Sequence, residues 1–414
     1  MKAYRFIITA IVIGFFFVSC SENNEQYKSV VENSNGIGEL TIQKIKVPTT
    51  AESSVSNLFV GKNGEVYLTW TETKESENSS LYFSTLEENK WSSPTKILEG
   101  NNWVVNWADF PSLTQFGENS LVINFLEMTD EATFAYDVKL AISNDGGKTW
   151  GESFAPHKDN TKTEHGFVSL VKYGENQFMA IWLDGRKYDS EEEPDEMTLR
   201  SAIINQDGSI DQEFVIDTRV CDCCATSAVT TSNGVSVVYR DRSDAEIRDI
   251  YASTFNNGNW SEPIRISRDG WEINGCPVNG PAIESYENNT AVAWFTAAND
   301  NAKVNVAFSV ESNKFTTPVA VNTTRTLGRV DVTYINKDKV AICWMEEEND
   351  IFYIKVRMVN SDGSGIMEEP IVVSKTEGSR SSGFPKMVKS DSYLVFSWTE
   401  TGETSVVKTA KIKL

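Results

Sequence analysis

Seven short apolar runs recur along this chain at a nearly fixed interval. They are "GEVYLTWTE", "NSLVINFLE", "NQFMAIWLD", "GVSVVYRDR", "NTAVAWFTA", "DKVAICWME" and "SYLVFSWTE", rich in β-branched and aromatic residues. With Trp70, Phe125, Trp182, Tyr239, Trp294, Trp344 and Trp398 as markers, the steps are 55, 57, 57, 55, 50 and 54 residues. Regular spacing on this scale is the mark of a repeat architecture. A shorter strand precedes the markers, as in "VSLVKY" and "PKMVKS", and two more follow, as in "DIYASTF" with "EPIRIS". No unit carries the 3.6-residue apolar stripe of a helix.

Four strands per unit, separated by turn signals, predict an all-β fold: a β-propeller of seven four-stranded blades. The last unit stops at "VVKTAKIKL", one strand short, while "LTIQKIKV" lies ahead of the first unit. The N-terminal strand is therefore expected to join the last blade as its outer edge, which removes a free sheet edge. Residues 39–414 then form one domain.

The first residues have a different pattern. Two basic residues, Lys2 and Arg5, precede an apolar run from Ile7 to Val18, too short for a membrane span and typical of an export signal. "FVSC" resembles a bacterial lipobox, and the polar, acidic "SENNE" after it resembles the tails of surface-exported lipoproteins. The resemblance implies removal of residues 1–19, lipidation of Cys20, a flexible tail over 20–38, and a surface-exposed outer-membrane lipoprotein in the cell envelope. The lipid would be the only contact with membrane. The chain has 38 basic against 59 acidic residues, a formal charge of −21. Such a surface repels nucleic acid and anionic membrane, so neither is expected as a partner.

One unit carries "SNDGGKTW", Ser143 to Trp150, with degenerate copies ending at Trp91, Trp260 and Phe315. It resembles the Asp-box, or BNR repeat, of sialidase-like propellers, S-x-D-x-G-x-T-W, at every position. In that family the motif is a structural turn between the third and fourth strands of a blade. The resemblance implies exo-hydrolysis of a terminal acidic sugar. That chemistry uses an arginine cluster on the sugar carboxylate, an acid/base carboxylic acid, and a tyrosine nucleophile with its activating glutamate. The chain departs from the family at "ADFPSL", where Asp109 replaces the expected first arginine, and in blade number, seven against six.

Ligands of a propeller meet the face formed by the loops leading into the innermost strands. Counting back 14 to 18 residues from the markers gives Asp109, His165, Cys223 with Cys224, Cys276, Arg329 and Arg380. The loops after the marker strands add Arg186, Arg240, Asp241 and Arg242. Arg186, Arg240, Arg242, Arg329 and Arg380 suit bidentate capture of a carboxylate or sulfate, so an acidic glycan or other small anion is the expected ligand. Pairing with Asp184, Asp241 and Asp249 is the competing use. Trp103 and Trp107 are placed to stack on sugar rings, and Asp109 or Glu164 is the candidate acid/base.

A second set competes for the same mouth. Cys221, Cys223, Cys224 and Cys276 lie with His165 on consecutive loops. One reading is a disulfide from Cys223 or Cys224 to Cys276, because an exported chain meets an oxidising compartment. The other is a thiolate and imidazole metal site, which soft ligands would direct to copper or zinc. Cys343, inside "VAICWME", reads as core packing. A protein-interaction platform without chemistry is the third class of function.

Overall fold

The computed structural model describes residues 27–33, 36–50, 52–74, 78–132, 134–311 and 314–414. Cys20, the predicted signal and residues 20–26 and 34–35 of the predicted tail lie outside them, while the rest of that tail is strand, Tyr27–Asn33 and the start of Gly36–Ile45. The marker runs are the second strands of seven antiparallel sheets: Val66–Thr73, Leu121–Met128, Gln177–Asp184, Gly234–Arg240, Asn289–Thr296, Lys339–Glu348 and Tyr393–Glu400. They run through the middle of their sheets and are largely buried on both faces, so they read as continuous apolar runs. The sheets form blades 1 to 7 of a propeller in chain order.

Closure follows the expected route. In blade 7 the strand Gly36–Ile45 pairs with Val406–Lys413, in the register Ile42 with Ile412 through Ile45 with Thr409. Tyr27–Asn33 pairs outside it, extending that sheet to five strands. Blade 2 departs from the four-strand pattern: its fourth strand is reduced to the pairing of Phe154 with Leu140.

Neighbouring blades are joined by the aromatic residues that end the turn motifs. The Trp91 indole donates to Thr409 Oγ1 at 2.8 Å, and Trp260 donates to Ser201 Oγ at 2.9 Å, each reaching the preceding blade. Trp150 packs against an apolar cluster that holds Leu81 and Phe83 of blade 1. In the Ser143–Trp150 turn, Asp145 accepts from the Thr149 amide and hydroxyl, while the Ser143 hydroxyl accepts from the Gly147 amide. Gly147 has φ +87°, and a Cβ there would meet the Phe83 ring at 2.7 Å. Only glycine fits.

The innermost strands are Ser53–Val60, Leu113–Gln115, His165–Tyr173, Ser227–Thr231, Ala282–Tyr286, Arg325–Asn336 and Lys386–Ser390. Near the start of several of them the backbone turns left-handed at a non-glycine residue: Val55, Phe167, Val278 and Arg329. Three of these positions coincide with register shifts in the sheet. Such residues are strained and persist only where their surroundings hold them. The preceding blade does so here. Asp109 Oδ2 accepts from the Phe167 amide at 2.6 Å, and Asn279 Oδ1 accepts from the Arg329 amide at 2.8 Å.

Candidate active site at the channel mouth

The innermost strands enclose a central cavity of about 230 Å³ lined by Asp109, Phe110, Thr226, Glu284, Asp331 and Lys386 among others. Burial dominates its electrostatics. It pushes Asp109 and Glu284 up to about 7, and it lowers the Lys386 ammonium, which lies 3.9 Å from the centre of the Phe110 ring.

At the mouth between blades 2 and 3, Tyr136 and Glu164 meet. The phenol donates to Glu164 Oε1 at 2.5 Å. Burial, the hydrogen bond from Tyr136 working against it, and the charge of Asp222 leave the Glu164 carboxyl at about 7. Burial and the charges of Glu164 and Asp109 drive the Tyr136 hydroxyl far above its ordinary value. Asp109 and Tyr136 flank Gly166, where a Cβ would come within 2.3 Å of Asp109 Oδ2 and 3.3 Å of the Tyr136 ring. A phenol and a buried carboxyl therefore converge on one glycine, and the phenol holds a second, partly exposed carboxyl. Both carboxyls are poised to exchange protons near neutrality.

The predicted arginines do not form a free cluster. Arg240 is buried and spends its guanidinium on the carbonyls of Asn279, Arg248 and Phe295, with Trp271 against its face. It binds backbone, not a ligand carboxylate, because its strand end points between the loops of blades 4 and 5. Arg186 pairs bidentately with Asp184 at 2.7 Å through both nitrogens and reaches Asp159 and Glu213, so the competing use holds for it. Arg242 pairs with Glu246 and Asp222 while keeping some exposure. Arg329 is buried between the Trp107 ring and the carbonyls of Ser379 and Gly383, and desolvation lowers it to about 10. Arg380 is exposed in a short 3-10 turn, Arg380–Ser382. Asp241 is raised to about 6 by burial and by Asp217.

The aromatic candidates are engaged as well. Trp107 stacks on Phe384 with ring centres 5.8 Å apart, and Trp103 packs on Phe125 at 4.5 Å. Both are half-buried and pack against apolar clusters of the blades.

The combined cysteine and histidine site separates into two. His165 is fully buried and stacked on His157, with ring centres 4.1 Å apart and planes 11° apart. Asp137, Asp159 and Asp184 lie within 3.7 Å of its ring nitrogens, and no sulfur belongs to that group. Burial alone would lower His165, but the hydrogen bond with Asp159 and the charges of Asp184, Asp159 and Asp137 raise it. Arg186 pairs with both Asp184 and Asp159, and the ligand atoms of Asp137, His157 and His165, and of Asp159, His165 and Asp184, lie within 4.8 Å of one another in this buried network. His157 was missed by counting back because it sits in the outer loop of blade 2.

Cys221, Cys223 and Cys224 converge at the mouth of blade 4, while Cys276 is exposed and outside their group. All five described cysteines are free, so the structure contains no bond from Cys276 to Cys223 or Cys224. Cys276 follows the extended lead-in "DGWEING", which carries it away from the neighbouring turn. Cys343 is buried in the core shared by blades 6 and 7, as expected.

The fold class is thus a seven-bladed propeller, and solved structures resemble it in fold. Those similar over most of their length include a protein of unknown function from Dyadobacter fermentans (13% identity, 90% of this chain and 98% of that one, TM-score 0.54). A polysaccharide lyase of family PL25, an ulvan lyase, matches at 11% identity over 88% and 94% of the two chains, TM-score 0.56. The endosialidase of phage phi92 matches at 10% identity over 91% and 71%, TM-score 0.50. At these identities the likeness is one of fold. No family model and no curated protein matches the sequence.

Proposed function

We propose that this protein acts on an acidic glycan at the mouth of its central channel, with Tyr136, Glu164 and Asp109 as the reacting groups. The observation that carries the reading is the 2.5 Å hydrogen bond from the Tyr136 phenol to Glu164 beside a second raised carboxyl, Asp109. In a glycosyl transfer, Glu164 would take the phenol proton as the Tyr136 oxygen attacks the sugar. Asp109, half protonated near pH 7, would supply a proton to the leaving oxygen. Arg242 and Arg380 keep exposure and would meet the sugar acid. The neighbours described as a polysaccharide lyase and an endosialidase are compatible with carbohydrate chemistry on this fold. We further propose that Cys20 carries the lipid anchor, which would hold this face at the cell surface.

The test is a panel of sialylated, uronated and sulfated glycans with product analysis. Turnover of at least one acidic member is expected, and Tyr136→Phe or Glu164→Gln should reduce it by about 100-fold or more without moving the melting temperature greatly. Inertness toward the whole panel, or a fully active Tyr136→Phe, would sink the reading.

A further inference from the structure

The turn "VCDCC" gathers three thiols within four residues, and their sulfurs lie together. Cys221 Sγ is 3.8 Å from Cys223 Sγ and 3.5 Å from Cys224 Sγ, and all three lie within 4.8 Å of one another. Two thiolates bound to one tetrahedral zinc at about 2.3 Å each would stand about 3.8 Å apart. The observed spacing is that of ligands around a shared ion.

The surroundings favour sulfur as an acceptor. Arg248 Nη1 donates to Cys221 Sγ at 3.1 Å, and the Asn279 amide donates to Cys224 Sγ at 3.4 Å. A thiol accepts weakly and a thiolate well.

The turn is also fixed in place. The Cys221 amide donates to the Arg240 carbonyl at 3.0 Å, while the Arg240 guanidinium clamps the Asn279 and Arg248 carbonyls on the other side. A Cβ at Gly280 would lie 2.1 Å from the Ala225 carbonyl oxygen, so the next blade's loop closes directly on the end of the turn. Cys221 and Cys224 are buried, whereas Cys223 is only partly so, which leaves the group reachable from solvent on that side.

We propose that Cys221, Cys223 and Cys224 form a three-sulfur site for a thiophilic closed-shell cation, zinc(II) or copper(I), without His165 or Cys276. Binding forms three metal–sulfur bonds and releases to solvent whatever protons the sulfurs still carry. The site is independent of the glycan reading, since it uses none of Tyr136, Glu164 or Asp109. It would nevertheless anchor the loop that bears Asp222, whose charge acts on Glu164.

The experiment uses the chain carrying Cys20→Ser and Cys276→Ser, reduced and handled without oxygen. Titration with cadmium(II) should develop the ultraviolet cadmium–thiolate charge-transfer band to an endpoint of one ion per chain, and zinc(II) should displace it. Either ion should also raise the melting temperature as its concentration rises. Adding Cys221→Ser or Cys224→Ser should remove the band, while Arg248→Gln, which touches the site from outside, should weaken binding by about 10- to 100-fold. Circular dichroism establishes that each variant is folded before it is titrated. No band in the folded parent, or an undiminished band after Cys221→Ser, overturns the proposal. So does loss of two thiols to a disulfide when the metal-loaded parent is exposed to air and counted under denaturing conditions.

Discussion

Arg240 shows how little a residue's position in sequence says about what its side chain faces. It stands at the end of a marker strand, where a ligand-binding arginine was expected, yet its guanidinium donates to three backbone carbonyls. Arg240→Ala would leave those carbonyls unpaired in a buried place. We expect a loss of roughly 3 to 5 kcal/mol in urea unfolding, by analogy with breaking a buried charged contact. Unchanged stability with lost glycan binding would restore the ligand-binding role. His165 gives a second test at this scale. Its raised folded value means that its charged form stabilises the fold below the ordinary histidine range and that this contribution fades as pH rises through the folded value. The groups facing it are His157, Asp137, Asp159 and Asp184, with Arg186 on the far side of the carboxylates. His165→Gln should therefore cost about 2 kcal/mol near pH 6 and distinctly less near pH 9. A penalty that grows with pH would show that the network is assembled around a neutral ring.

Between one residue and the whole ring lies the blade, and its marker strand contains a device that the apolar pattern hides. Trp70, Trp182 and Trp344 each donate their indole N–H to the carboxylate two residues on, at Glu72, Asp184 and Glu346. Alternation puts residues i and i+2 on one face of a strand, so a buried indole and a buried acid satisfy each other. Glu346 is the most heavily served. Burial would raise it, but hydrogen bonds from Thr323, Thr324 and Trp344 and the Lys355 ammonium bring it down to about 2. A depressed acid stabilises the fold above its ordinary value of 4.5, and that support is lost as pH falls toward about 2. Trp344→Phe should accordingly cost about 1 to 2 kcal/mol at neutral pH and move the acid-unfolding midpoint upward. An unmoved midpoint would mean that the threonines and Lys355 hold the carboxylate alone. The blades themselves were legible in the sequence because a strand buried on both faces must be apolar along its whole length. The mouth residues were legible only as a ring of positions. Counting back finds the lead-in to an inner strand, but a left-handed turn at Phe167 or Arg329 redirects the side chains that follow, and no spacing rule reports that. Tyr136 escaped notice for a related reason: it opens a third strand, Tyr136–Ser143, and reaches Glu164 only because blades 2 and 3 are neighbours.

Across the molecule, the seven blades share one seam where the ring is completed. Gly36–Ile45 lies against Val406–Lys413, the Thr409 hydroxyl donates to the Ile45 carbonyl at 2.7 Å, and blade 1 meets blade 7 through Ser56 and Ser397 at 3.2 Å. A chain cut before Asp391 would lack the partner of that strand and most of blade 7. It should express as insoluble material, because two sheet edges and the apolar flank of blade 6 would be left open. A soluble fragment with a sharp unfolding transition would show that six blades can close without the seventh. The same seam sets a temporal order. Ribosomes deliver Gly36–Ile45 well before Val406–Lys413, so the earlier strand must wait for six blades to be made before it finds its mate. Closing a loop of that length costs roughly 5 kcal/mol of chain entropy, paid once, at the end. Until then one edge of Gly36–Ile45 stays open, its other edge already paired with Tyr27–Asn33.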